Sequence, residues 1–219
     1  MLARIRCSAL RHTPMPEKLF PTTRLEAFSD GVLAVIITIM VLELKVPHAD
    51  GLPGLLSIAP ILFVYLLSFT LTAIYWVNHH FLIRRVERSN HRVLYANLSF
   101  LFSISLLPFF TSYVIEKHAD SFSVALYASA MIFTGFCFFL LRLAIGRLLQ
   151  LAGELSPEDT ATQRKHILSL ALYVAAIPLA HFHSHIALGA ITAVALVWII
   201  PTVRTDRYLP EDPSEPHGF

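Results

Sequence analysis

Apolar runs long enough to cross a membrane alternate with short polar breaks along nearly the whole chain. The first run opens at Thr23 with Glu26 three residues on, a spacing that predicts a capping box and a helix start. From Ala27 to Leu42 its polar groups are Ser29, Asp30 and Thr38, and the run extends to about Val46, enough to span a bilayer. On a wheel of 100° per residue, Phe28, Gly31, Val35, Ile39, Leu42 and Val46 fall within about 40° of one line, with Asp30 at roughly 220°. The helix thus has a straight apolar stripe and an acid pointing nearly the other way. A carboxylate at mid-bilayer costs about 2.5–3.5 kcal/mol, so Asp30 is expected to be buried against a partner on another helix. Arg24, roughly 240° away, is poorly placed to be that partner. The plainer alternative is a second cap, or snorkelling to the headgroups, by Ser29 and Asp30.

Five further runs follow, at about 55–81, 93–114, 121–141, 166–182 and 186–203. The breaks between them alternate in charge. Residues 47–54 hold no Lys or Arg, whereas Arg84-Arg-Val-Glu-Arg88, with Arg92, is basic. The segment Glu116-Lys-His-Ala-Asp120 is mixed, and the fourth run passes into Arg142 and Arg147. Next comes the longest expected connection, ending in Ser156-Pro-Glu-Asp159, which reads as an N-cap and first turn of a short helix before the fifth span. Only His183-Ser-His185 separates the last two runs, which predicts a tight helical hairpin. The N-terminal tail carries Arg4, Arg6, Arg11 and Lys18, and translation could start at Met1 or Met15. With the basic segments placed in the cytoplasm, the expectation is an all-α membrane protein with six transmembrane helices and both termini cytoplasmic. Its parts are a cytoplasmic tail (1–22), a transmembrane domain (23–203) and a second cytoplasmic tail (204–219).

Composition agrees: 55% of the 219 residues are hydrophobic and 15% charged, the balance of a multi-span membrane protein. The cysteines, Cys7 and Cys137, form no disulfide framework or zinc pattern. No nucleophile with an adjacent base and no nucleotide or nucleic-acid signature is present, so neither an enzyme nor a nucleic-acid partner is expected. The alternating histidines of His181-Phe-His-Ser-His185 are a metal-like pattern, set aside for want of a nearby carboxylate or thiol. Pro60 falls early in its helix, while Pro108 and Pro178 are expected to kink theirs.

Arg24-x-x-x-Phe28-Ser29-Asp30-Gly31 at the head of the first span resembles the signature of the transmembrane-protein-175 potassium channel family, in its single-repeat prokaryotic form. Tyr75-Trp-Val-Asn-His-His80 and Leu106-Leu-Pro-Phe-Phe-Thr111, late in the second and third spans, are similar to the same family. The likeness covers residues 22 to about 115 and, beyond that, the helix count. It implies a homotetramer in the cell membrane, with first helices lining a central pore for monovalent cations and no cofactor beyond permeant potassium. Carried over by position, Val35 falls where the family has a bulky aliphatic at the narrowest point, with Ile39 and Leu42 further along the same face. Either Val35 or Ile39 could form the tightest ring. Thr38 matches a hydroxyl position tied to potassium selectivity. Trp76, Asn78, His79 and His80, with Asn97 as a further member, would form with Arg24, Phe28, Ser29, Asp30 and Gly31 a scaffold behind the pore. Within it, Asp30 is expected to pair with a histidine and Trp76 to pack beside Phe28.

No carbonyl filter of the Thr-Val-Gly-Tyr-Gly kind occurs, so selectivity must arise otherwise. An aliphatic ring offers no ligands, so a passing ion keeps its water or loses it uncompensated, which penalises sodium more than potassium. Such a ring can also dewet and act as a gate. The other class open to this sequence is a secondary transporter or proton-coupled carrier using an intramembrane relay of Asp30 with His79 and His80.

Overall fold

The computed structural model describes residues 19–154 and 157–199. Residues 1–18 of the predicted N-terminal tail, the predicted tail 204–219, the Ser156 cap and the expected end of the last span at 203 lie outside the described residues. The first element is not helical. A short strand β1 (Phe20–Pro21) pairs antiparallel with β2 (Arg88–Ser89), Phe20 opposite Ser89 and Pro21 opposite Arg88. This bridge straps the entry of helix α1 (Thr23–Leu42) to the loop that follows the second span.

The strap also changes how α1 begins. Thr22 occupies the N-cap position without making a side-chain cap bond. Its buried hydroxyl is instead shared between the carbonyls of Val86 and Glu87, at 3.0 and 3.2 Å, and its N–H donates to Glu87 O at 3.2 Å. The expected capping box of Thr23 and Glu26 is therefore replaced by bonds across the fold, and Glu26 is released to reach another helix. At the far end α1 stops at Leu42, so Val46 is not on the helix and leaves the predicted stripe.

A short helix α2 (Gly51–Ser57) leads into α3 (Ala59–Ile83), with Pro60 in the first turn of α3, where its missing N–H costs nothing. Gly54 is required here, since a Cβ on it would stand 1.8 Å from Ala49 O. The third run is split at Leu106 into α4 (His91–Ser105) and α5 (Leu107–Glu116). Pro108 sits in the first turn of α5, so the expected kink is a full break in the helix. Helix α6 (Ser121–Ala152) runs well past the expected end at 141, carrying Arg142 and Arg147 within it, and closes on Gly153 at φ 74°. Helix α7 (Pro157–Phe182) follows. The expected long connection and separate short helix are thus absorbed into two longer helices. Pro178 lies inside α7 without ending it, and His183 alone separates α7 from α8 (Ser184–Ile199), the tight hairpin that was expected.

Five of these helical segments are long and apolar enough to cross a membrane, counting α4 and α5 as one, and α8 is shorter at 16 residues. Helix α6 is the centre of the packing. Its Tyr127, Met131, Phe138, Leu141 and Ile145 are all fully buried, against α4, α5 and α7. Phe138 meets Phe100 of α4 at 5.1 Å and Tyr75 of α3 at 5.5 Å between ring centroids, both edge-on, so one aromatic cluster locks three helices.

Candidate functional site

Helix α1 buries one face and leaves another open. Leu25, Ser29, Leu33, Ile36 and Met40 are buried, on a line about 80–160° from Val35 on the wheel. The predicted stripe stays uncovered: Phe28 is 55% exposed, Val35 55%, Ile39 42% and Leu42 79%. Gly31 lies on this face with nothing within 4 Å of a would-be Cβ. Thr38 is exposed too, and its hydroxyl donates back to Val35 O at 2.8 Å. That bond commits the proton and leaves the oxygen lone pairs facing outward.

Beside the stripe, an apolar groove of about 1020 Å³ separates α1 from α5, lined by Phe28, Gly31, Val35 and Ile39 on one side and Phe109 and Tyr113 on the other. Its acid end is held by Glu43, which accepts from the Ser112 hydroxyl at 2.7 Å.

Behind the buried face runs a chain of polar contacts whose directions can be worked out atom by atom. The Ser29 hydroxyl donates to Leu25 O at 2.8 Å, so its oxygen must accept from Asn97 Nδ2 at 2.9 Å. That orients the amide and turns Asn97 Oδ1 toward His79 Nε2, 2.7 Å away. His79 therefore carries its proton on Nε2. It is fully buried, stacks on Phe100 at 5.6 Å, and its Nδ1 has no hydrogen-bond partner among the described residues. Helices α1, α3 and α4 are joined here by three side chains that the sequence had singled out.

Other expected members of the network are arranged differently. Asp30 is only half-buried and accepts from Trp76 Nε1 at 2.9 Å, so its partner is the indole and not a histidine. His80 instead lies with Nδ1 3.4 Å from Glu26 Oε1 and Nε2 3.4 Å from Arg84 Nη1. Trp76 stacks on His80 at 5.8 Å, and among the described residues no ring contact joins it to Phe28. Asn78 turns away and donates to Ile74 O at 2.7 Å, back along its own helix. Arg24 is exposed at the start of α1. The reason is rotational: with His79 turned into the core toward Asn97, Trp76 and His80 are the α3 side chains left facing α1.

A second polar cluster was missed. Ser68 of α3, Thr111 of α5 and Tyr127 of α6 meet in the core, the Ser68 oxygen lying 2.9 Å from both Tyr127 Oη and Thr111 Oγ1. The signal available was slight. Thr111 closed one of the quoted motifs, but lone hydroxyls in apolar runs usually bond their own helix, as Ser68 and Thr111 also do here, to Val64 O and Leu107 O.

These elements define a multi-pass helical membrane protein whose first helix carries an apolar face that the described residues leave uncovered. The family model described as endosomal/lysosomal potassium channel TMEM175 matches residues 24–108. A potassium channel of Chryseobacterium sp. (strain P1-3) is 40% identical over 191 residues, covering 86% of this chain and 98% of that one. A potassium channel of Chamaesiphon minutus is 42% identical over 101 residues, 43% of this chain and 50% of that one. The crystal structure of a lysosomal potassium-selective channel TMEM175 homolog from Chamaesiphon minutus superposes with a TM-score of 0.73 at 27% identity, over 84% of this chain and 98% of that chain. The chain belongs to the TMEM175 family.

Proposed function

We propose that this protein is a potassium-permeable channel, selective for potassium over sodium, formed by a homotetramer in the plasma membrane. The observation that carries the reading is the uncovered stripe of α1: Val35 at 55% exposure and Ile39 at 42%, on a helix whose other face is sealed into the bundle. In a closed ring the same stripe stands on every wall, and Val35, Ile39 and Leu42 become stacked aliphatic layers with Thr38 beside them. The apolar groove between α1 and α5 then receives a neighbouring copy, and Gly31, whose small size nothing in its own chain requires, allows close approach. All six helices span in this reading, with residues 23–203 forming the channel domain and the flanking tails cytoplasmic. The names of the relatives, potassium channels, support the permeant ion. The partners are further copies of the chain, the bilayer and monovalent cations, with no cofactor.

Selectivity follows from dehydration at an apolar neck. The constriction offers no ligands to replace lost water, and the lone pairs of Thr38 supply weak compensation next to it. The transporter reading receives less support. A relay needs a continuous path from Asp30 through the histidines, yet Asp30, His79 and His80 each end on a different group: Trp76, Asn97 and Glu26.

The test is a set of reversal potentials in bilayers under opposed potassium and sodium gradients. Val35→Ala or Ile39→Ala should raise sodium permeability relative to potassium and increase conductance. Ile37→Ala, half-buried at about 200° on the wheel, should leave selectivity unchanged. Unaltered reversal potentials in both stripe variants would make the stripe a packing face and move the pore elsewhere.

A further inference from the structure

We propose that the groove between the start of α4 and the last turns of α6 is a binding site for an anionic phospholipid. It lies away from the α1 face and does not depend on the channel reading. The groove encloses about 460 Å³, within the range of small-ligand sites. Its walls are mainly apolar, chiefly Leu140, Leu143, Leu148 and Leu151 of α6, with Asn90 and Gln150 as neutral polar members, and its mouth carries Arg92 of α4 and Arg147 of α6. No acid lines it.

The two arginines differ from their neighbours. At the same end of the bundle, Arg84 lies against His80, Arg85 donates to Glu154 O at 3.2 Å and Arg88 to Leu19 O at 3.4 Å. Arg92 and Arg147 are exposed and make no hydrogen bond or ion pair among the described residues. Below them, Leu140 and Leu143 are each 38% exposed. Leu140 lies about 10 Å from Arg147 along α6, so an acyl chain can run from the arginines down over Leu143 and Leu140.

Charge and shape together select the occupant. Water leaves the leucine wall wet, and hydrocarbon alone leaves two guanidinium groups desolvated without a counter-ion. A molecule apolar along its length and anionic at one end satisfies both. The planar guanidinium fork matches phosphate oxygens, and basic pockets between transmembrane helices suit anionic headgroups. A choline headgroup, by contrast, brings a third cation to a site that has two.

The test uses the full-length protein, delipidated in mild detergent and titrated with phosphatidylglycerol, phosphatidylcholine or water-soluble glycerophosphoglycerol, with bound lipid read by native mass spectrometry. Phosphatidylglycerol should bind more tightly than phosphatidylcholine. The double variant Arg92→Gln, Arg147→Gln should weaken phosphatidylglycerol by about 25-fold, roughly fivefold for each arginine, and leave phosphatidylcholine within about twofold. Ala144→Trp fills the groove with both arginines in place and should reduce phosphatidylglycerol binding too, which keeps the test intact if the double variant fails to fold. Three results would each overturn the site: no preference for phosphatidylglycerol, unchanged binding in either variant, or glycerophosphoglycerol binding as tightly as the lipid. The last would make it a soluble-anion site.

Discussion

Two buried polar clusters hold this bundle together, and they are built on opposite principles. The first joins Ser29, Asn97 and His79 across α1, α4 and α3, and its middle member has no substitute. Asn97 is the partner of the His79 Nε2–H, while His79 Nδ1 already lacks one. The second joins Ser68, Thr111 and Tyr127 across α3, α5 and α6, and there the two small hydroxyls also bond a carbonyl of their own helix. Ser68 or Thr111, on losing its neighbour, keeps a backbone acceptor, whereas Tyr127 Oη is bonded to Ser68. An imidazole that loses its amide keeps nothing. The cluster behind the open face of α1 is therefore rigid and intolerant, and the one deeper in the bundle is tolerant at Thr111.

This contrast can be broken by mutation, with the largest effect expected at Asn97. Asn97→Leu strands a buried imidazole and should cost about 2–3 kcal/mol, read as a lowered thermal unfolding midpoint in detergent. A loss below about 0.5 kcal/mol would erase the distinction between the clusters. Thr111→Val removes one hydroxyl of the second cluster but leaves Ser68 bonded to Val64 O and to Tyr127 Oη. It should cost about 1 kcal/mol, in the range of interhelical hydrogen bonds within membranes. A larger loss than at Asn97 would reverse the ranking. The smallest effect belongs to Trp76→Phe, which deletes the indole N–H bonded to Asp30. Asp30 is half-buried and can take water instead, so about 0.5 kcal/mol is expected. If Trp76→Phe also dissociates the oligomer on crosslinking, the Asp30 contact belongs to assembly and not to the fold of one chain.

The lipid groove and the α1 stripe sharpen the same point from the surface. Both are faces that the chain does not cover, but their chemistry differs. The stripe is apolar throughout and suits another copy of itself. The groove combines leucines with two arginines that make no ion pair among the described residues, and suits an amphiphile.

Some of this was already settled along the chain. The positions of the apolar runs follow from bilayer thickness and the rise of a helix, so a helix formed in each, although α1 stopped early at Leu42 and α6 ran on to Ala152. The stripe was legible for the same reason, because a wheel angle depends only on sequence separation. Ser29, His79 and Asn97 were readable as polar groups that a membrane helix must satisfy, although their pairing was not. What only the tertiary structure decided depends on how helices are turned toward one another. On α3, Trp76 and His79 stand about 60° apart on the wheel, and a rotation of that size exchanges which one meets Asp30. No local pattern encodes that angle. It is set by the fit of Phe100 and Phe138 around Tyr75 and by the bond from His79 to Asn97, groups brought together only when the bundle closes. The strap at Thr22 has the same origin, since it exchanges a local cap for bonds to residues far along the chain.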